Sequence, residues 1–301
     1  MEKHGILYLC PTPIGNLEDI TLRALKILNE VDYIAAEDTR VTLKLLNHFN
    51  IKTPLISYHE HNKKSQGPRL ISLLQEGKNI ALVTDAGTPG ISDPGEDLVK
   101  DAIKAGINIV PLPGAIAAIC ALVASGLSTE RFVFEGFLPK KNQDRDRRLF
   151  ELATEQRTII FYEAPHRIIK TLKVLKDTFG NRKAAVAREI TKIHEEFARG
   201  TLEDLIQRFI DVKPKGEMVI VVEGAKKDLN SDRGQPAPFL ENELSSEELK
   251  SKLQAMFKEN ISQGYAKNQA LRKAAKELGL SRNEAYRILT DEHGKEEDCE
   301  T

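Results

Sequence analysis

Short apolar runs alternate with longer amphipathic stretches along the first part of the chain. The runs are rich in isoleucine, valine and alanine, as buried strands are, and lie at residues 6–10, 32–37, 54–57, 79–84 and 108–112. Apolar residues at helical spacing predict helices within 17–31 and at 39–49, 64–76, 94–105 and 114–124. This alternation favours an α/β layer built on a largely parallel sheet.

The pattern resumes after Gly126. Predicted strands cover 132–137, 157–164, 183–190, 195–200 and 217–224. Predicted helices cover 143–154, 166–178 and 202–210. We therefore expect two α/β domains, 1–125 and 126–225, the second with a mixed sheet.

A different composition begins after the last predicted strand. Residues 226–246 are rich in turn formers and predict a linker, whereas 247–290 predict helices and 291–301 a disordered tail. Within 268–289, the turn LGLS precedes a helix that Ser281 would cap, which is typical of a helix-turn-helix. Its lysines and arginines suit nucleic-acid contact, and a bundle used only for packing is an equal alternative.

Charge and cysteine content narrow the class of protein. The 301 residues include 44 Lys and Arg against 45 Asp and Glu, so no global basic field attracts nucleic acid. The three cysteines are too few for a disulfide framework and suit a reducing compartment. No apolar run is long enough for a membrane helix or a signal peptide, so a cytoplasmic protein without membrane contact is expected.

Loops rich in glycine and proline follow two of the predicted strands. CPTPIGNLEDI (10–20) lacks the GxGxxG pattern of dinucleotide sites, and TDAGTPGISDPG (84–95) lacks the GK[ST] of a P-loop. Either loop could be a purely structural turn. Open α/β sheets bind ligands at the carboxyl ends of their strands, however, so the second loop favours a binding role.

Three further segments are candidates for the same cleft. PLPGAIAAICALVASG (111–126) on its own is typical of a buried core helix, but its PGA could form the opposite lip. FYEAPHR (161–167) and REITKIHEE (188–196) could bring acid, base and cation to the cleft, or form solvated faces. His59 and His61 in a polar loop do not indicate a metal site.

These segments, in this order, closely resemble the bacterial small-subunit ribosomal RNA methyltransferase I family of the tetrapyrrole methylase superfamily. The segments that carry the likeness are TPIGNLEDI (12–20), AAEDTR (35–40), DAGTPGISDPG (85–95), PGAIAA (113–118), EGFLP (135–139), FYEAPHR and REITKIHEE. The likeness is continuous from residue 6 to about 224, and the helical tail is similar to an appendage that many members carry.

The resemblance implies a homodimer that uses S-adenosylmethionine to methylate a ribose 2′-hydroxyl on a cytidine in the decoding region of 16S rRNA. The fold would be two α/β domains of the tetrapyrrole methylase type, with the cofactor in the cleft between them. The partner would be 16S rRNA or the small ribosomal subunit. The candidate cofactor-binding residues are Pro13, Gly15, Asp85, Gly87, Thr88, Pro89, Ile91, Pro113, Ile116, Ala117, Glu163 and Leu202.

Methyl transfer to a hydroxyl requires alignment of the reacting atoms and a group that accepts the proton. We expect Glu163 and Glu189 to serve as catalytic carboxylates. Candidate contacts to RNA are Arg40, Arg167, Arg188 and Lys192. Two alternatives stay open: a methyltransferase acting on a tetrapyrrole or another small acceptor, and a ligand-sensing regulator whose tail reads DNA.

Overall fold

The computed structural model describes residues 4–211, 216–226, 246–263, 265, 267–278, 280, 285 and 288–289. Contacts within the chain separate two compact units, 1–227 and 228–301. The tail expected at 291–301, and all but a few residues of the expected linker, lie outside the described residues.

The first sheet consists of five parallel strands in the order β3-β2-β4-β1-β5. Its strands are β1 (Ile6–Leu9), β2 (Tyr33–Ala36), β3 (Leu55–Ser57), β4 (Ile80–Val83) and β5 (Asn108–Pro111). Its connections contain α1 (Leu22–Glu30), α2 (Thr39–His48), α3 (Lys63–Gln75) and α4 (Gly95–Lys104). Since β4 pairs with β1, the two glycine-rich loops that follow these strands emerge side by side.

The second sheet is mixed, as the sequence predicts, in the order β6-β7-β10-β8-β9. Its strands are β6 (Phe132–Phe137), β7 (Thr158–Glu163), β8 (Lys183–Arg188), β9 (Glu196–Thr201) and β10 (Met218–Val222). Only β6 and β7 are parallel among its pairs. Its helices are α6 (Asn142–Leu152), α7 (Ile168–Phe179) and α8 (Leu202–Asp211).

Helix α5 (Ala117–Ser125) closes the expected first domain but packs against the second sheet. Ala118, Ala121 and Leu122 lie in one buried cluster with residues of β7, β8 and β10, among them Ile160 and Val219. Small side chains allow this close approach of helix to sheet. The predicted domain boundary at residue 125 therefore agrees with the order of elements along the chain, but α5 packs with the second sheet. The helix forms part of the core, as its apolar composition favours.

The second unit contains α9 (Ser246–Ser262) and α10 (Lys267–Glu277). Leu253, Leu271, Ala274, Ala275 and Ala285 form its buried cluster. Ser281 and Glu284, which carry the predicted capping motif, lie outside the described residues. Among the helices that the structure describes, none is long and apolar enough to cross a membrane.

Candidate active site

A cavity of about 420 Å³ opens where the carboxyl edge of the first sheet meets the second sheet. Its walls are formed by the loop after β1, the loop after β4, the start of α5, the end of β7 and the start of β10. Cavities of this size hold small molecules and cofactors in other proteins. The predicted cleft between the two halves of the first unit is therefore present as a defined cavity.

Hydrogen bonds tie the loops of the first sheet together at the cavity. Thr12 and Gly87 exchange backbone bonds of 2.9 and 3.0 Å, and the Thr12 hydroxyl donates to the Thr84 carbonyl at 3.0 Å. Thr88 Oγ1 donates to the carbonyl of Ala115 at 3.0 Å. Three loops that are distant in sequence are thus held together as one wall of the cavity.

Gly87 and Asp93 shape the loop after β4. Gly87 has a φ of +89°, a conformation that residues with a Cβ rarely adopt. Both carboxylate oxygens of Asp93 accept backbone N–H bonds, from Gly90 and Ile91 on one side and Gly95 on the other. Asp93 therefore braces the loop, and its burial raises the pKa of its carboxyl.

The polar part of the cavity lining is acidic. The carboxylates are those of Glu37, Asp85, Asp93, Glu163 and Glu217. Among the described residues that line the cavity there is no lysine, arginine or histidine. Apolar side chains such as Ile14, Ile116 and Phe137 cover the rest. The lining therefore favours a ligand with positive charge and an apolar or aromatic part.

Glu163 is buried at the end of β7, with its side chain only 1% exposed. Its Oε1 accepts the Ala164 N–H at 2.8 Å and lies 3.3 Å from Arg167 Nε. Its Oε2 accepts the Thr171 hydroxyl at 2.6 Å. Both oxygens already have partners, so this carboxylate joins β7 to the first turn of α7, and Arg167 is held within the same cluster.

Glu189 lies beside the cavity rather than in its lining. Its Oε1 accepts the Glu217 N–H at 3.0 Å and a bond from Lys192 Nζ at 2.9 Å. The hydrogen bond from Lys192 lowers the pKa of Glu189. Burial lowers the pKa of Lys192, but hydrogen bonds to Glu189 and Glu217 outweigh it and raise the pKa above its ordinary value. Glu189 and Lys192 therefore fasten the 188–196 segment to the start of β10.

The same segment contacts the loop after β1. Glu189 and Thr191 have φ of 52° and 66°, in the left-handed region that non-glycine residues adopt at a cost. Thr191 Oγ1 accepts the Asn16 N–H at 3.0 Å. A Cβ on Gly15 would lie 2.4 Å from Lys192 Cγ and 3.0 Å from the Ile190 carbonyl. The absence of a side chain at Gly15 therefore allows the two halves of the first unit to touch here.

We expect Gly15→Val to weaken both folding and cofactor binding because it forces this contact apart. Overpacking of this kind costs about 1–3 kcal/mol of unfolding free energy. Chemical denaturation and calorimetry with the cofactor measure the two effects.

Gly67→Ala is the control for the Gly15 variant. A Cβ on Gly67, inside α3, meets only Tyr58 Cε2 at 3.9 Å, and alanine stabilises a helix interior by about 0.5–1 kcal/mol relative to glycine. We expect its stability to be unchanged or raised. Wild-type stability of Gly15→Val would show that the contact is not needed.

The predicted cofactor residues other than Leu202 divide into three groups. Those in the cavity lining are Asp85, Gly87, Thr88, Ile91, Ile116, Ala117 and Glu163. Pro13 and Gly15 line a neighbouring groove, and Pro89 and Pro113 are found in neither lining. The cavity is also lined by five residues that the sequence motifs do not mark individually: Glu37, Phe137, Tyr162, Glu217 and Met218.

Leu202 is not in a position to contact a ligand in the cavity. It is 0% exposed and packs with Leu205, Ile206 and Phe209 in the core of the second sheet. Its N–H donates to the carbonyl of Arg182 at 2.9 Å. As an apolar residue at the start of α8, Leu202 is drawn into the core. The expected cofactor role is therefore corrected to a core role.

The basic residues expected to contact RNA have partners of their own. Arg40 pairs with Asp38 at 2.6 Å while its side chain is 87% exposed. Arg188 pairs with Glu196 at 2.8 Å, Arg167 with Glu163 and Lys192 with Glu189. Arg40 is thus the member of this set that is most accessible to a large ligand.

Comparison with known proteins places this geometry in a family. The model of the tetrapyrrole (corrin/porphyrin) methylases matches residues 7–206. The ribosomal RNA small subunit methyltransferase I of Synechocystis sp. is 50% identical over 285 residues, covering 94% of this chain and 97% of that protein. The protein of the same name from Bacillus subtilis is 46% identical over 282 residues, covering 94% and 93%.

Solved structures support the fold. A cobalt precorrin-4 methyltransferase of cobalamin biosynthesis matches with a TM-score of 0.56 at 18% identity, covering 72% of this chain and 94% of that one. A diphthine synthase matches with a TM-score of 0.56 at 14% identity, covering 73% and 90%. At these identities the likeness concerns the fold alone.

The methyl donor of this family is S-adenosylmethionine, and the cavity fits it. The donor carries a sulfonium and an ammonium against one carboxylate, so the acidic lining complements its net positive charge. The apolar walls suit its adenine. From its sequence, its fold and this cavity, the chain belongs to the ribosomal RNA small subunit methyltransferase I family of the tetrapyrrole methylases.

Proposed function

We propose that this protein methylates the 2′-hydroxyl of a cytidine ribose in the decoding region of 16S rRNA, acting as a homodimer. The observation that carries the proposal is the near full-length identity, 46–50% over 94–97% of the chain, to relatives named ribosomal RNA small subunit methyltransferase I. The cavity that fits the methyl donor adds independent support.

S-adenosylmethionine supplies a methyl group on a positively charged sulfur, which a hydroxyl oxygen can attack. The protein contributes alignment, which accounts for a large part of the acceleration of such displacements. The bonds that join Thr12 to Thr84 and Gly87, and Thr88 to Ala115, hold the donor side of the cavity in one arrangement. Glu163, with both oxygens engaged, positions the end of β7 rather than receiving a proton.

A groove of about 300 Å³ adjoins the cavity and is a suitable place for the acceptor nucleotide. We call it the acceptor groove; it runs between the loop after β1, α2 and Lys192. Thr42 in its lining is 3% exposed, and its hydroxyl has no hydrogen-bond partner within the described residues. A polar group of a bound nucleotide would satisfy this hydroxyl, because buried polar atoms are rarely left unpaired.

The charges around the acceptor groove suit a phosphate backbone. Lys44 lines the groove, is exposed and forms no ion pair with any residue that the structure describes. Arg40 precedes it on the same helix and is largely exposed. Enzymes that modify one nucleotide of a folded RNA hold the backbone with such cations and turn the target out of its stack.

Methyl incorporation from labelled S-adenosylmethionine tests the proposal. The acceptors are small ribosomal subunits from cells lacking this gene, the same subunits from wild-type cells, and a tetrapyrrole. We expect incorporation into the first alone, at one 2′-O-methylcytidine located by nuclease mapping. Transfer to the tetrapyrrole, or to a base atom, would contradict the proposal. Light scattering of the purified protein tests the homodimer separately.

A further inference from the structure

Two carboxylates lie where the cavity and the acceptor groove meet. Asp85 and Glu217 are the acidic residues, within the described part of the chain, that line both spaces. A group that receives the proton of the attacking hydroxyl must reach the acceptor at the point where it faces the methyl donor. Position alone therefore reduces the candidates to these two.

Their surroundings differ in charge. Glu217 Oε2 lies 3.1 Å from Lys192 Nζ, so this oxygen is already paired with a cation. Asp85 forms no ion pair with any residue in the described ranges, and its neighbours Glu37 and Asp38 are acidic. One oxygen of Asp85 accepts the Asp38 N–H at 2.9 Å. Its other oxygen is free of hydrogen bonds to described residues.

We propose that Asp85 accepts the proton of the acceptor hydroxyl during methyl transfer. An oxygen lone pair forms the new O–CH₃ bond while the methyl–sulfur bond breaks, and the sulfur keeps that electron pair and becomes neutral. The hydroxyl proton passes to the free oxygen of Asp85, which then releases it to water. The inference rests on the proposed function, since it requires a hydroxyl acceptor.

The proton affinity of Asp85 fits this role. Burial is the largest effect and raises the pKa of Asp85; the Asp38 N–H bond lowers it, and repulsion from Glu37 and Asp38 raises it further. Arg40 opposes the increase with a smaller effect. A carboxylate with a raised pKa is a stronger base than an ordinary aspartate.

Asp85→Asn compared with Glu217→Gln tests the inference. Both variants remove one negative charge from the same junction, and the side-chain amide oxygen that Asp85→Asn introduces can still accept the Asp38 N–H. We expect Asp85→Asn to lower kcat by about a hundredfold to ten thousandfold at saturating cofactor, and calorimetry measures any accompanying change in cofactor affinity. Glu217→Gln should lose less than about tenfold in kcat, because Glu217 Oε2 is already engaged by Lys192.

The pH dependence of kcat gives a second readout. Wild type should lose activity as pH falls through the raised pKa of Asp85, and Asp85→Asn should lack this acid limb. Glu37→Gln retains an acceptor for the Thr84 hydroxyl but removes repulsion, so it should move the limb to lower pH. Arg40→Gln should move it to higher pH.

The outcomes separate the inference from the proposed function. If Asp85→Asn keeps kcat within about tenfold of wild type, or if Glu217→Gln shows the larger loss, Asp85 is not the proton acceptor, while wild-type activity on small subunits still supports the function. If wild type itself transfers no methyl group to small subunits, the proposed function fails and the inference fails with it.

Discussion

Gly87→Trp is expected to abolish binding of S-adenosylmethionine while the protein stays folded. Gly87 lies in the cavity lining with a φ of +89°, and a Cβ there would stand 3.4 Å from both the Ala115 carbonyl and Ile14 Cγ2. A tryptophan side chain attached at this Cβ would occupy the cavity. Calorimetry should show affinity reduced by at least about 100-fold, or about 2.8 kcal/mol.

Gly90→Trp is the matched control for that effect. Gly90 belongs to the same loop and has the same φ of +89°, but a Cβ there would meet nothing within 4 Å. Both variants should lose about 1–2 kcal/mol of stability through the left-handed backbone, and Gly90→Trp should keep cofactor affinity. If the two variants lose affinity equally, backbone strain is the cause. If Gly87→Trp binds the cofactor as tightly as wild type, the loop after β4 is not part of the cofactor site.

The strands and most helices could be predicted because their buried positions recur at the local spacing of a strand or a helix. β4 reads IALV and is buried at every position, and TIIFYE of β7 is similar. The packing of α5 on the second sheet could not be predicted in this way. Its apolar and alanine-rich sequence identifies a core helix, but helices of this composition fit either sheet, and only the three-dimensional path of the chain decides between them.

The candidate site was predictable where loop chemistry is local. Glycine and proline density in 84–95 marks a constrained loop at a strand end, and Asp85, Gly87 and Thr88 do line the cavity. The role of Glu189 was not predictable from its charged neighbours. Its carboxylate is taken up by Lys192 and the Glu217 N–H, one partner three residues away and the other in a distant strand.

Leu202 and Glu37 show two kinds of disagreement between motif and structure. One residue matches a motif but lies outside the site, and the other lies in the site without having been picked out. The segment around Leu202 matches a pattern, yet an apolar first helical residue beside a sheet is withdrawn into the core. Glu37 follows the buried β2 and accepts the Thr84 hydroxyl at 2.7 Å. The sequence did contain a signal for Glu37. It is an acidic residue directly after an apolar strand, and the neighbouring parallel strand carries the glycine-rich loop. Such a residue lies at the carboxyl edge of the sheet, where ligands bind.

Glu163→Ala is expected to destabilise the protein by about 3 kcal/mol, because removing one partner of a buried pair leaves the others unsatisfied. The substitution deprives the Arg167 guanidinium, the buried Thr171 hydroxyl and the Ala164 N–H of their common acceptor. Arg167 is 21% exposed and regains some hydration, which keeps the loss at the lower end of the range for buried pairs. Urea denaturation followed by circular dichroism measures it.

Glu163→Gln and Thr171→Val separate positioning from proton transfer at this carboxylate. The amide of Glu163→Gln keeps one acceptor oxygen, so about 1–2 kcal/mol should be lost, and Thr171→Val should cost a similar amount by removing the donor at Oε2. A positioning role leaves the acid limb of the kcat profile of Glu163→Gln in place. Should Glu163→Gln keep wild-type stability yet lose kcat by more than about 100-fold together with that limb, Glu163 rather than Asp85 would be the proton acceptor.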